Sequence, residues 1–264
     1  MPSQPASGSY FERTGGDRYR PTPHAGGAWD PDSEQHFSPL GGLLVHAMDL
    51  HRAGRPRLVL GRISFDILGR IAVDVMDIQV TTPRPGRTIE LVEATVVISG
   101  RPVVRARAWF LAPGDTTAVA GGGAGRLPPP DSLPAWPMAS LWPGGFIESV
   151  DVRSVRVPEP GRATAWLTTG ISLVADEEVS QMASFVALVD AANGIAVRQQ
   201  PTAWMFPNLD LSIHLFRQPT GAWTGLDTTV VFGPTGQGIT STVLHDLDGA
   251  VGTAQQILTV RPLA

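Results

Sequence analysis

The chain has 264 residues, 42% of them hydrophobic and 17% charged, with a net charge of −4 and no cysteine. Such a length suits one large domain or two modest ones, and the charge offers no footing for nucleic acid, whose binders cluster Lys and Arg. Without cysteine, disulfide scaffolds, thiolate metal sites and Cys nucleophiles are excluded.

No apolar run approaches the roughly twenty residues of a membrane helix, so no membrane insertion is expected. The opening MPSQPASGSYFERTGG lacks the basic and apolar halves of a signal peptide, and a cytoplasmic protein is the expectation. Residues 1–9 are expected to be disordered. From Tyr10 to Pro21 the chain reads as a short hairpin turning at Gly15 and Gly16. Ser38 followed by Pro39 reads as a helix cap with proline at the first helical position. Leu40, Leu43, Leu44, Ala47 and Met48 then recur at helical spacing, predicting an amphipathic helix to about His51. Gly41 and Gly42 weaken its first turn by roughly 1 kcal/mol each relative to Ala, which points to something packing or binding closely there. Four strand-like runs follow, over 57–68, 71–83, 87–99 and 101–111, with turns at 84–86 and 99–102.

The segment 113–145 carries GGGAG, PPP and four further prolines, a composition that forms no regular element and reads as a linker. It divides the chain into 1–112, 113–145 and 146–264. Beyond it, strand-like material at 148–156 and 163–167 leads to the helical stretch DEEVSQMASFVALVDAANG. Its acidic start suits the helix dipole, Val179, Met182, Phe185, Val186 and Val189 form its apolar stripe, and Gly194 is a natural stop. Strands are again expected over 203–217, 221–232, 236–246 and 250–260. A helix followed by four antiparallel strands thus occurs twice at an offset of roughly 150 residues, two copies of one α+β module.

In the stretch from Pro207 to Arg217, Leu209, Leu211, Ile213 and Leu215 alternate with Asp210, Ser212 and His214. The period of two marks a strand with one buried face. A carboxylate, a hydroxyl and an imidazole share the other face, which makes it a candidate for chemistry.

WDPDSEQHFSPLGGLL in the first half, and VDAANG, NLDLSIHLFR, GAWTGL and GTAQQILTV in the second, resemble the acyl-CoA thioesterase II (TesB-like) group and its actinobacterial relatives. The helix-wrapped module resembles the hotdog fold, and its duplication implies an α+β double hotdog. The resemblance implies hydrolysis of an acyl-CoA to free fatty acid and CoA, with no cofactor apart from the CoA of the substrate, in a homo-oligomer of two or more copies. The family's catalytic carboxylate carries over to Asp210 and its glutamine to Gln255, while its strand hydroxyl falls at Val230 or Val231, with Thr228 and Thr229 nearest; Thr229 is taken for that role. Asp210 would then deprotonate water and Gln255 orient it. The first-turn amides around Ser38, Gly41 and Gly42 would polarise the thioester carbonyl, with His36 beside them in the substrate site. Arg62 stands in the first half where Asp210 stands in the second, so one active site per chain is expected.

His214 reads as a packed strand imidazole, and Asn193, with Asp190 beside it, as a cap for the helix end. Trp29, Trp204 and Trp223 read as core and pocket wall. Two further functions are weighed. The missing hydroxyl suits a weak or inactive acyl-CoA-binding relative. An enoyl-CoA hydratase of hotdog fold would use an Asp and a His five apart, but Asp30 and Asp32 precede His36 by six and four.

Overall fold

The alternating runs become strands of one continuous sheet, and the two apolar stripes become helices packed against each other. The computed structural model describes residues 8–55 and 57–263. The first half comprises β1 (Ser9–Gly15), β2 (Arg18–Pro21), α1 (Phe37–His51), β3 (Val59–Ile67), β4 (Met76–Arg84), β5 (Ile89–Ile98) and β6 (Arg101–Leu111). The second comprises α2 (Gly145–Ser149), β7 (Val150–Ser154), β8 (Arg162–Thr169), β9 (Ser172–Val174), α3 (Gln181–Val189), α4 (Ala192–Ile195), β10 (Trp204–Met205), β11 (Asp210–Leu215), β12 (Thr224–Phe232), β13 (Gln237–Asp246), β14 (Gly249–Thr259) and β15 (Arg261–Pro262). The disorder expected for residues 1–9 lies outside the described residues as far as residue 7; Ser9 already pairs with Ser172 of β9.

Thirteen strands run in the order β7-β8-β12-β13-β14-β11-β3-β6-β5-β4-β2-β1-β9. The order is a palindrome of the two repeats about the antiparallel seam β11–β3, where Ser212 lies opposite Ser64. The repeat is exact in register at the last hairpin of each half: a bulge brings Val97 against Pro102, and another brings His245 against Ala250, 148 positions later.

Both long helices lie on one face of this sheet. Every residue of α1 from Phe37 to Met48 is buried, as befits a helix packed on all sides. Its closest neighbour is α3. A Cβ on Gly42 would stand 2.6 Å from the Ala183 carbonyl oxygen and 2.6 Å from the Ala187 methyl, whereas one on Gly41 would meet nothing nearer than 3.6 Å. The glycine at 42 therefore lets two helix backbones approach.

Three local expectations are corrected. Ser38 does not cap α1: the His36 ring does, its Nδ1 accepting from the Ser38 amide at 3.0 Å, and Ser38 lies inside the first turn, fully buried. The acidic run Asp176–Glu178 precedes α3 instead of opening it, because Ser180 supplies the cap by accepting from the Ala183 amide. Glu177 is drawn instead to Arg13, at 2.6 and 2.9 Å, and to His46 at 2.9 Å. The strand expected over 203–217 is split: Trp204–Met205 pairs with β15 and β11 begins at Asp210, because Phe206 and Asn208 are tied to Asn193 and Asp190.

The Gly/Pro-rich crossing has no strand of its own, yet it is anchored. Trp166 Nε1 donates to the Pro128 carbonyl at 2.7 Å and the Trp136 amide to that of Val152 at 2.8 Å. Gly144 turns with φ of 113°, a left-handed conformation that lets the backbone pass against Gly26 and Gly27.

Candidate active site

On the helix side of the sheet, polar side chains converge where the start of α1 meets the end of α3. The centre is Asp190, which directly follows α3 and is buried. Its Oδ1 accepts from Asn208 Nδ2 at 2.8 Å and from Gln256 Nε2 at 2.8 Å. Gln256 sits on β14 between the inward-facing Ala254 and Leu258, so the strand's own alternation drives the amide into the interior. Asn208 stands just ahead of β11, and its second amide hydrogen goes to the Asp210 carbonyl at 3.1 Å. Its Oδ1 has no hydrogen bond among the described residues.

Burial pushes the Asp190 carboxyl up to about 6, with the two amide donors acting in the opposite direction. His36 approaches Asp190 Oδ2, with Nδ1 at 3.8 Å. The contact is no ion pair. Nδ1 already accepts from Ser38, so the ring proton sits on Nε2, and burial pushes the imidazole down to about 4. The ring stacks on Phe146, centroids 4.3 Å apart.

Four residues, His36 to Pro39, open α1. The His36 amide donates to the Ala25 carbonyl, that of Ser38 to the His36 ring, and Pro39 has none. Among the described residues this leaves the Phe37 N–H as the first-turn donor without a partner. Phe37, His36, Asp190, Asn193 and Asn208 all line one cleft of about 130 Å³. Its apolar walls include Trp29, Trp142 and Phe206, three rings in mutual edge contact with centroids 5.2 to 6.3 Å apart. Trp142 comes from the Gly/Pro-rich crossing and is fixed by Nε1 donating to the Gly194 carbonyl at 2.9 Å. Asn193 spans from α4 to the Phe206 carbonyl at 2.9 Å, holding the wall to the helix. A buried carboxylate near neutrality, a free helix-start amide and an apolar slot together can activate water against a carbonyl held between them.

Two family models match, one describing the acyl-CoA thioesterase N-terminal domain over residues 25–111 and one the acyl-CoA thioesterase C-terminal domain over residues 130–260. The chain belongs to the acyl-CoA thioesterase family. It is a thioester hydrolase with the double-hotdog fold. Solved structures share that fold across nearly their whole length. A provisionally assigned thioesterase of Novosphingobium aromaticivorans DSM 12444 superposes with a TM-score of 0.73 at 20% identity, covering 95% of this chain and 98% of its own. A hot-dog-fold protein of Alicyclobacillus acidocaldarius gives 0.73 at 12%, covering 94% and 95%. The acyl-CoA thioesterase II TesB2 of Mycobacterium marinum gives 0.64 at 17%, covering 96% of each. No curated protein matches the sequence significantly.

In this thioesterase the residues assigned from the strand pattern stand apart from the cleft. Asp210 is on the face of β11 turned away from the helices, its Oδ1 accepting from the Ile257 amide at 2.6 Å and its nearest carboxylate Asp66 across the seam. Gln255 is exposed on the same outer face, opposite Ser212 and Ser241. Thr229 is exposed there too, opposite Ser241. The reason is geometric: helix-start amides lie only on the inner face, and a strand residue of the other parity points through the sheet away from them. Of the substrate-side residues, His36 lines the cleft. Ser38 contributes its backbone amide to the cap, and Gly41 and Gly42 face α3.

Asp190 and Gln256 were legible by a subtler signal. Asp190 falls four residues after Val186, on the apolar stripe itself, and Gln256 keeps the phase of Ala254 and Leu258. A polar side chain in the apolar phase of its element is buried, and a buried one needs a partner.

Proposed function

We propose that the chain hydrolyses an acyl-CoA thioester with Asp190 as general base. The carrying observation is the carboxylate held by Asn208 and Gln256 inside an apolar cleft, opposite the unpartnered Phe37 amide. Ionised Asp190 takes a proton from water through Oδ2, the oxygen that the two amides leave unbonded. The Asn208 Oδ1 accepts the water's other hydrogen and orients it. Hydroxide adds to the thioester carbon, and the oxyanion receives the Phe37 N–H. On collapse the C–S bond breaks, the proton on Asp190 returns to the CoA thiolate, and the fatty acid leaves. Water is the only co-reactant this chemistry calls for. The reading keeps the expected cytoplasmic setting and homo-oligomer as part of the proposal.

Thiol release from a panel of acyl-CoAs tests it. Asp190→Asn should lower kcat by about 10²- to 10⁴-fold, the usual worth of a positioned general base. Equal rates in variant and wild type would refute the role of Asp190.

A further inference from the structure

Beside the cleft, and separated from it by Ile147 and Ala191, lies a second void of about 10 Å³. Met138, Val150, Val152 and Leu167 line its far side, and no polar side chain reaches it. Ile147 and Ala191 line both spaces and are themselves buried, Ile147 at 7% exposure and Ala191 at 4%. Ile147 belongs to α2, whose turn closes through the Glu148 amide donating to the Gly144 carbonyl at 3.0 Å and is pinned to the N-terminal half by the Phe146 amide donating to the Gly26 carbonyl at 3.2 Å. The partition therefore rests on a held backbone.

Resting on the functional reading above, we propose that Ile147 is the specificity-determining floor of the acyl slot and limits the substrate to compact acyl groups, linear or cyclic, of about six carbons. The size argument is direct. The cleft measures about 130 Å³, slightly less than the apolar cavity of about 150 Å³ that admits one benzene molecule. Three aromatic edges, from Trp29, Trp142 and Phe206, supply its walls, which suits flat or short chains. A chain that continues inward from the cleft meets Ile147, because the apolar space behind is too small to receive it while that side chain stands. Ala191 carries only a methyl, so Ile147 is the larger and adjustable part of the boundary.

The test is a chain-length profile of kcat/KM from acetyl- to palmitoyl-CoA, with phenylacetyl-CoA included, for wild type, Ile147→Val and Ile147→Ala. Wild type should peak at or below six carbons and fall by at least about tenfold by decanoyl-CoA, since one misfitting methylene already costs roughly that much. Ile147→Ala should move the peak toward eight to ten carbons, with Ile147→Val between. A wild-type optimum at twelve carbons or more, or an unmoved profile in both variants, overturns the proposal. Calorimetric Kd values for the same series, measured on Asp190→Asn with and without Ile147→Val, rank chain length without turnover. That ranking decides the fate of Ile147 even if Asp190 proves not to be the base, so the two ideas fail separately.

Discussion

Asp190 and Asp210 are both aspartates next to a run of alternating or periodic apolar residues, yet their surroundings divide them. Asp190 is enclosed, held by two amides and pushed up to about 6. Asp210 is half-buried on the outer face, raised by burial with the Ile257 amide acting against it. Substituting each by Asn should separate them cleanly: the Asp190 change abolishes most turnover, while Asp210→Asn and Gln255→Ala leave kcat within about threefold, as surface changes away from a site do. Steady-state thiol release reads both. The same carboxylate sets the acid limb of the rate profile. The base must be ionised to work, so kcat/KM should fall below a pH of about 6 and lose tenfold per pH unit below it. A limb near the ordinary carboxylate range would mean that a solvated group is the base.

At the scale of elements, periodicity located almost every strand, and the four-strand runs of each half agree with β3–β6 and β11–β14 to within a few residues, the long run before Asp210 excepted. What periodicity could not decide was parity: one strand alternates identically whether its polar side faces a helix or water. Gln255 and Gln256 are adjacent, and only the packing of α1 and α3 on one side of the sheet distinguishes them. Capping was legible in kind but not in residue, because an imidazole at His36 did what a hydroxyl at Ser38 was expected to do. The paired glycines were legible as a close approach but not as to what approaches. Their two positions now differ sharply. Gly42→Ala drives a methyl into the Ala183–Ala187 backbone and should cost about 1–3 kcal/mol by overpacking. Gly41→Ala meets only ordinary contacts and should be neutral or gain up to about 1 kcal/mol of helix propensity. Urea midpoints of the two variants check this, and a reversed order would mean that the helices cross elsewhere.

Across the whole molecule, two buried groups titrate in opposite senses. His36 is held neutral down to about 4, so the stability it contributes is present above its unfolded value and lost as pH falls from 6.5 toward 4. Asp190 is held neutral up to about 6, so its contribution is present below the unfolded value and lost as pH rises from 3.8 toward 6. Each change amounts to about 3 kcal/mol, and over pH 4 to 6 they nearly cancel. Asp190→Asn removes one side of the balance. Relative to wild type it should gain about 3 kcal/mol between pH 4 and pH 7 in urea unfolding, and a constant difference would show that Asp190 ionises freely. The repeat, legible from helix-and-strand order, also predicts the behaviour of a cut chain. Gly121–Gly125 are exposed and the halves share the β3–β11 seam, so proteolysis there should leave both fragments co-eluting on gel filtration.

That seam has a consequence for biosynthesis. Until β11 emerges from the ribosome, β3 offers one bare row of amides and carbonyls to any passing strand. The partner is encoded about 150 residues later, a wait of roughly ten to thirty seconds at ordinary elongation rates. For this interval a nascent half-molecule is an open template for intermolecular pairing. Slowing translation between the two halves should therefore raise the aggregated fraction without altering any contact in the finished protein.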